Sequence, residues 1–137
     1  MTDSDKSRNA STVRAAFDAW AAGSGSPYDL LADDVTWEIM GNCAASRVYH
    51  GKEDFLSSVI RPFNARMSRP LVPSIRRIHA DGDTVIVLFD AEGVARDEVV
   101  YRNTYAWFLT LEGDRVVAAS AFFDALSFDD LWGRLPG

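Results

Sequence analysis

Two turns decide how the second half of this chain folds: Asp81-Gly82-Asp83 and Glu112-Gly113-Asp114. The first separates Leu71–Ala80 from Thr84–Ala95, and the second separates Val99–Leu111 from Arg115–Asp124. All four flanking runs are rich in β-branched and aromatic residues, as in Thr84-Val85-Ile86-Val87-Leu88-Phe89, so each reads as a strand. A turn this short can only join antiparallel neighbours, because a parallel return needs a crossover of a dozen residues or more.

Working outward, Val35, Trp37 and Ile39 alternate with Thr36, Glu38 and Met40, which predicts another strand, closed by Gly41. Ahead of it, Tyr28 to Ala32 reads as a short helical turn ending at Asp33-Asp34, and residues 42–51 read as loop. Phe55, Leu56, Val59, Ile60, Phe63 and Met67 recur at helical spacing from Lys52 onward, with Pro62 expected to kink or break that helix. Ser11 is placed to cap a first helix, whose face carries Val13, Ala16, Phe17, Trp20 and Ala21, and Gly23-Ser24-Gly25-Ser26-Pro27 stops it. A short helix from Ser127 to Trp132 ends before Pro136. Helices segregated from a run of hairpins predict an α+β fold, with the helices on one face of a curved sheet.

A chain of 137 residues suits one domain, taken as residues 11–137 behind a disordered polar tail at residues 1–10. With 47% hydrophobic and 12% aromatic residues it has ample core material. A net charge of −6 repels phosphate backbones and anionic headgroups, so nucleic acid is not expected as a partner. No apolar run approaches the length that spans a bilayer, and no membrane partner is expected. The single Cys43 cannot form an internal disulfide, and the polar start lacks a signal peptide's apolar stretch, so a cytoplasmic protein is expected. His50 and His79 stand 29 residues apart without a Cys or Glu pattern, so no metal site is read from spacing. Gly23-Ser24-Gly25-Ser26 follows a helix rather than a strand and reads as a linker, not a nucleophile elbow.

Three stretches carry a family resemblance: Leu31-Ala32-Asp33-Asp34-Val35-Thr36-Trp37-Glu38 with Gly41 and Tyr49-His50-Gly51-Lys52; Tyr101-x-Asn103-x-Tyr105-x-Trp107; and Phe122-Phe123-Asp124. In order and spacing the chain resembles the SnoaL-like branch of the nuclear transport factor 2 superfamily, over about residues 10–132. The resemblance implies a cone-shaped, strongly bent antiparallel sheet wrapped around N-terminal helices, a cystatin-like α+β barrel enclosing an apolar pocket. Relatives include ketosteroid isomerase, limonene epoxide hydrolase, polyketide cyclases, dehydratases and lyases, together with non-catalytic binding and dimerisation modules. It implies chemistry without a cofactor, performed by buried carboxylates and hydroxyls. The isomerase's base falls at Ile39 here and its second carboxyl near Ala106. The epoxide hydrolases' Arg-x-Asp pair meets Phe89-Asp90-Ala91-Glu92, which lacks the Arg.

The expected activity is therefore acid/base chemistry on an apolar, cyclic or aromatic small molecule, with non-catalytic binding as the alternative. Asp124, beside Phe122 and Phe123, is the first candidate for moving protons, since apolar surroundings raise a carboxyl pKa; capping the final helix is its structural alternative. Alternation puts Tyr101, Asn103, Tyr105 and Trp107 on one face of their strand and Arg102, Thr104, Ala106 and Phe108 on the other. If the first set faces the pocket, Asn103 and the tyrosines can hydrogen-bond a substrate oxygen; if the second does, Arg102 becomes an anion clamp. Trp37, Ile39, Tyr101, Trp107 and Phe122 are the candidate pocket walls, and His50 could reach the mouth. Asp90 and Glu92 share a face that reads as solvated. A homodimer is expected through one face of the sheet, by way of Val85, Val87 and Phe89 or of Ile86 and Leu88.

Overall fold

The computed structural model describes the backbone from Asp3 and the side chains from Lys6, both through to Gly137. Helix α1 (Asp3–Ala22) and a 3-10 turn (Pro27–Leu30) lead into β1 (Leu31–Ile39) and the short β2 (Val48–His50). α2 (Lys52–Phe55), a π-helical turn (Leu56–Ile60) and α3 (Arg61–Ala65) form one continuous helical stretch. β3 (Met67–Asp81), β4 (Thr84–Ala95), β5 (Val100–Glu112), β6 (Arg115–Phe123) and α4 (Ala125–Arg134) complete the chain. The six strands make one curved, unclosed sheet in the order β2-β1-β6-β5-β4-β3.

Both turns read from the sequence are present: Asp81 pairs with Thr84 across one and Glu112 with Arg115 across the other. Gly82 and Gly113 each sit at φ 61°, a left-handed conformation that glycine adopts without steric cost. Alternation then sorts the side chains. On β4, Val85, Val87, Phe89 and Ala91 are buried while Ile86 and Leu88 are half-buried on the outer face. On β5, Tyr101, Asn103, Tyr105, Trp107, Leu109 and Leu111 point inward. α1 lies in the concave face, where the Phe17 ring packs edge-on at 4.8 Å from Phe89 and 5.6 Å from Trp107. Trp20 stacks over Trp107 at 6.2 Å.

Several expectations change. Residues 1–2 of the expected tail lie outside the described residues, and the remainder is helical, because α1 begins at Asp3 rather than at a Ser11 cap. Asn9, four residues before Val13, is only 5% exposed, so a polar side chain extends the buried face where hydrophobic periodicity could not register it. The turn expected at Tyr28–Ala32 closes at Leu30, and β1 begins at Leu31. The expected loop at 42–51 contains β2, paired antiparallel with β1 through Trp37 and Tyr49. β1 also runs parallel to β6, with Trp37 opposite Ala119 and Ile39 opposite Ala121, so the sheet is mixed. A parallel neighbour is reachable because the intervening chain supplies the long crossover.

Pro62 does not break its helix. The Arg61 N–H bonds back to the Leu56 carbonyl, five residues away, and the widened turn accommodates a proline that has no N–H of its own to donate.

Arg66, 6% exposed, ties the C-terminal end to this helix without a carboxylate partner. Its Nε donates to the Leu135 carbonyl at 2.7 Å, Nη1 to Pro62 at 2.8 Å and Nη2 to Trp132 at 3.2 Å. The guanidinium also lies 3.9 Å from the centre of the Trp132 ring. Burial lowers the Arg66 pKa, and nearby Arg96 lowers it further. Arg66→Met keeps the aliphatic stem but abandons these carbonyls, so urea unfolding should show a loss of about 2–3 kcal/mol. Arg102→Met, which removes an exposed ion pair with Glu92, should cost less than about 1 kcal/mol in the same assay.

Candidate functional site

The concave face and the helices do not close on one another completely. A cavity of about 790 Å³ remains between the sheet, the end of α1, the π-turn and α4. Its floor is apolar: Trp37 and Ile39 from β1, Tyr105 and Trp107 from β5, Phe123 from β6 and Phe128 from α4. The widened turn contributes Leu56, Val59 and Ile60 to one wall. Exposed Asp29, Arg61 and Asn64 mark the rim, where Arg61 is paired with Glu53 at 2.6 Å.

The rings hold one another in place. Trp37 stacks on Phe55 at 4.4 Å and meets Trp107 edge-on at 5.0 Å, while Tyr105 stacks on Phe89 at 5.0 Å. Tyr28 joins this group from the 3-10 turn, 6.1 Å from Trp37 and 5.8 Å from both Phe55 and Trp107. Its turn is fixed by the Asp29 carboxylate, which accepts the Ser26 N–H at 3.0 Å. The sequence reading places Tyr28 in a short turn but not among the pocket walls; the signal for the latter is the Ser26-Pro27-x-Asp29 spacing, which marks a capped turn and so fixes where the intervening side chain projects.

Polarity reaches the floor of this space through a chain of hydrogen bonds. Asn103 Nδ2 donates to the Tyr101 hydroxyl at 2.8 Å, and the Tyr101 and Tyr105 hydroxyls are 2.8 Å apart. Nδ2 also donates to the Asp124 carbonyl at 3.0 Å. Oδ1 accepts the Thr104 N–H at 2.8 Å and the Asp124 N–H at 3.0 Å. Tyr105 lines the cavity, while Tyr101 and Asn103 stand behind it. Burial pushes the Tyr105 phenol well above its ordinary value, and proximity to Tyr101 and Tyr28 adds to the effect. Burial likewise raises Tyr28, with a further contribution from Tyr101. These phenols are neutral hydrogen-bond donors at any physiological pH.

Of the sequence candidates, Trp37, Ile39, Tyr105 and Trp107 line the cavity, and Tyr101 and Asn103 back it. The others are elsewhere. Arg102 is on the outer face, its Nε donating to Glu92 at 2.6 Å, because even-numbered β5 residues point out. Ala106 shares that outward set, so the inward positions nearest the expected second carboxyl are Tyr105 and Trp107. Phe122 is 47% exposed for the same reason, and its neighbour Phe123 reaches the cavity instead. Exposed His50 lies on β2 outside the lining, its N–H donating to Asp54 at 3.2 Å.

Asp124 takes the alternative role as the N-cap of α4. Its Oδ1 accepts the Leu126 N–H at 3.0 Å and its Oδ2 the Ser127 hydroxyl at 3.0 Å. On the outer face Asp90 accepts from Arg76 at 2.7 Å and from Thr104 at 2.6 Å, so Asp90 and Glu92 are engaged in surface pairs. Among the described residues no group of three or more His, Cys, Asp or Glu could hold a metal ion, and no helix is long and apolar enough to cross a membrane.

Solved structures share this architecture. Bal32a, from a soil-derived mobile gene cassette, superposes with a TM-score of 0.76 at 18% identity, over 93% of this chain and 98% of its own. A candidate SnoaL-like polyketide cyclase from Jannaschia sp. CCS1 gives 0.71 at 19% identity, over 99% of each chain. A protein of ketosteroid isomerase-like fold from Catenulispora acidiphila, solved with trimethylamine, gives 0.63 at 18%, over 80% of this chain and 82% of its own. At such identities the likeness is one of fold. No curated protein matches the chain in sequence. The SnoaL-like domain pattern, however, matches residues 13–119, most of the chain, and by that match the protein belongs to the SnoaL-like domain family.

Proposed function

We propose that the cavity binds an apolar cyclic or aromatic small molecule bearing a carbonyl oxygen, and promotes a proton shift or cyclisation by hydrogen-bonding that oxygen as it gains negative charge. The observation that supports this is the Asn103–Tyr101–Tyr105 chain, which ends on a neutral phenol in a space walled mainly by apolar side chains. A donor held in a dry site strengthens as charge develops on its acceptor, and one such donor is commonly worth roughly 100-fold or more in rate. The cavity volume of about 790 Å³ suits a small polycyclic molecule. Solvent water or hydroxide entering at the rim would take the proton from the substrate's acidic C–H and a water would return one at the new position, with Tyr105 stabilising the enolate between the two transfers and Tyr28 nearby as a second phenol. This cofactor-independent reading suits a cytoplasmic protein.

A second reading, binding without turnover, is supported by the character of the lining, where Asp29 at the rim is the carboxylate present and no histidine occurs. One ligand separates the two. 1-Indanone carries a ketone and an exchangeable α-CH₂, and indane is its shape without the oxygen. Calorimetry should show Tyr105→Phe weakening 1-indanone by roughly tenfold and leaving indane unchanged. Wild-type protein that binds the two alike would reject the carbonyl site. In D₂O, wild-type protein should accelerate α-deuteration of 1-indanone, and Tyr105→Phe should slow it roughly 100-fold. Binding without exchange would favour the non-catalytic reading.

The same burial sets a pH dependence. Tyr28 and Tyr105 have folded pKa values above the ordinary 10.0, so as pH rises the unfolded chain loses these protons first. Their contribution to stability is therefore complete below about pH 10 and is lost as pH climbs toward the folded values. The urea midpoint should be insensitive to these groups from pH 7 to 9 and fall above pH 10, with a shallower fall in Tyr105→Phe.

We also propose that two copies pair through the outer sheet face. Val85, Val87 and Phe89 are consumed by the core, leaving half-buried Ile86 and Leu88 beside Phe108 and Phe122, which are 39% and 47% exposed. Ile86 sits opposite Phe108 and Leu88 opposite Ala106, so these residues adjoin. Light scattering should give twice the 15.1 kDa chain mass, and Phe108→Glu should return it to that of one chain.

A further inference from the structure

Asn103 is 5% exposed and all four hydrogen-bonding positions of its carboxamide are occupied. The backbone dictates which way that amide points. Turned over, it would set its NH₂ against the Thr104 and Asp124 N–H donors and its oxygen against the Asp124 carbonyl. Only one orientation is satisfied, and in it Nδ2 gives a hydrogen to the Tyr101 oxygen.

The consequence passes outward along the chain. Tyr101 accepts from Asn103, and the Tyr105 oxygen 2.8 Å away is the acceptor available for its own hydrogen. If Tyr105 donated instead, the Tyr101 hydrogen would be left in a buried site without an acceptor, which is costly. Tyr105 thus accepts from behind, and its hydrogen is left for the cavity.

We infer that Asn103 is a positioning residue that sets the polarity of the cavity, making Tyr105 a donor toward the ligand and selecting molecules that offer an acceptor over those that offer N–H or O–H. This deepens the carbonyl reading above and rests on it for the identity of the ligand. The direction of the hydrogen bonds stands independently of any ligand. Asn103→Asp should reverse it. One carboxylate oxygen still takes the two backbone N–H groups; the other, at the cost of facing the Asp124 carbonyl that Nδ2 serves in the wild type, accepts from Tyr101, and Tyr101 then accepts from Tyr105. The cavity is left facing a phenol oxygen with a free lone pair.

Two measurements test this. In ligand-free wild-type protein, the hydroxyl proton between the two tyrosines should give its strongest proton NMR Overhauser effect to the Tyr101 ring, and in Asn103→Asp to the Tyr105 ring. A bridging proton on Tyr105 in the wild type overturns the inference without any variant. By calorimetry, wild-type protein should prefer 1-indanone, an acceptor only, over indole, a donor only, by roughly tenfold, and Asn103→Asp should invert that order. Should Asn103→Asp fail to fold, Tyr101→Phe frees Tyr105 to turn either way and should collapse the preference to near unity; a preference that persists there overturns the inference. Wild-type protein that does not distinguish 1-indanone from indane would sink the carbonyl reading, and the NMR result would still decide the polarity.

Discussion

Strand β5 can satisfy its two faces in only one register. Its odd residues must enter the core and its even ones face outward, because a strand's side chains alternate and a slip of one position exchanges the faces wholesale. Slipped, Arg102 and Thr104 would enter the core while Trp107 and Leu109 met solvent. The Asn103 carboxamide reinforces the register by binding both the N–H and the carbonyl of Asp124, where β6 ends and α4 begins. That one side chain thereby fixes the strand, the start of the C-terminal helix and the hydrogen bonds leading into the cavity.

Most of the architecture was legible, because hairpins announce themselves locally. Gly82 and Gly113 sit at left-handed turns between alternating runs, and nothing distant is needed to read them. β2 was not legible: three residues, Val48 to His50, form a strand because β1 lies beside them, a partner that local pattern does not reveal. The early start of β1 was hidden by Asp33 and Asp34, exposed residues that read as a helix end.

The site was legible in composition but not in orientation. Tyr101-x-Asn103-x-Tyr105-x-Trp107 and Arg102-x-Thr104-x-Ala106-x-Phe108 each combine polar groups with an aromatic, so neither declares itself the inward set. Packing decided it, since Trp107 meets Phe17 and Trp20 of α1. Asp124 illustrates the opposite case. Apolar neighbours made it look like an acid, yet the Leu126 N–H and the Ser127 hydroxyl at the start of α4 claim its carboxylate first. Charge is also sorted by face. Arg76–Asp90 and Arg102–Glu92 remain on the wet side, while the concave side is served by neutral phenols and an amide. Arg66 is buried because backbone carbonyls and a tryptophan face, rather than a carboxylate, receive its charge.

The π-turn at Leu56–Ile60 has a consequence for how this cavity can be altered. A π-turn is in effect one extra residue lodged in an α-helix, so its removal lets ordinary helical bonding resume. Because the wider turn already absorbs that residue, the helix beyond it would keep its facing, and the side chains redirected would be those of the turn itself. Leu56, Val59 and Ile60 would repack against the cavity, while the sheet that carries Trp37, Tyr105 and Trp107 kept its pairing. A single-codon deletion in that turn, made together with replacement of Pro62, which the wider turn accommodates, is thus a mutational step that recuts one wall of the cavity at a stroke.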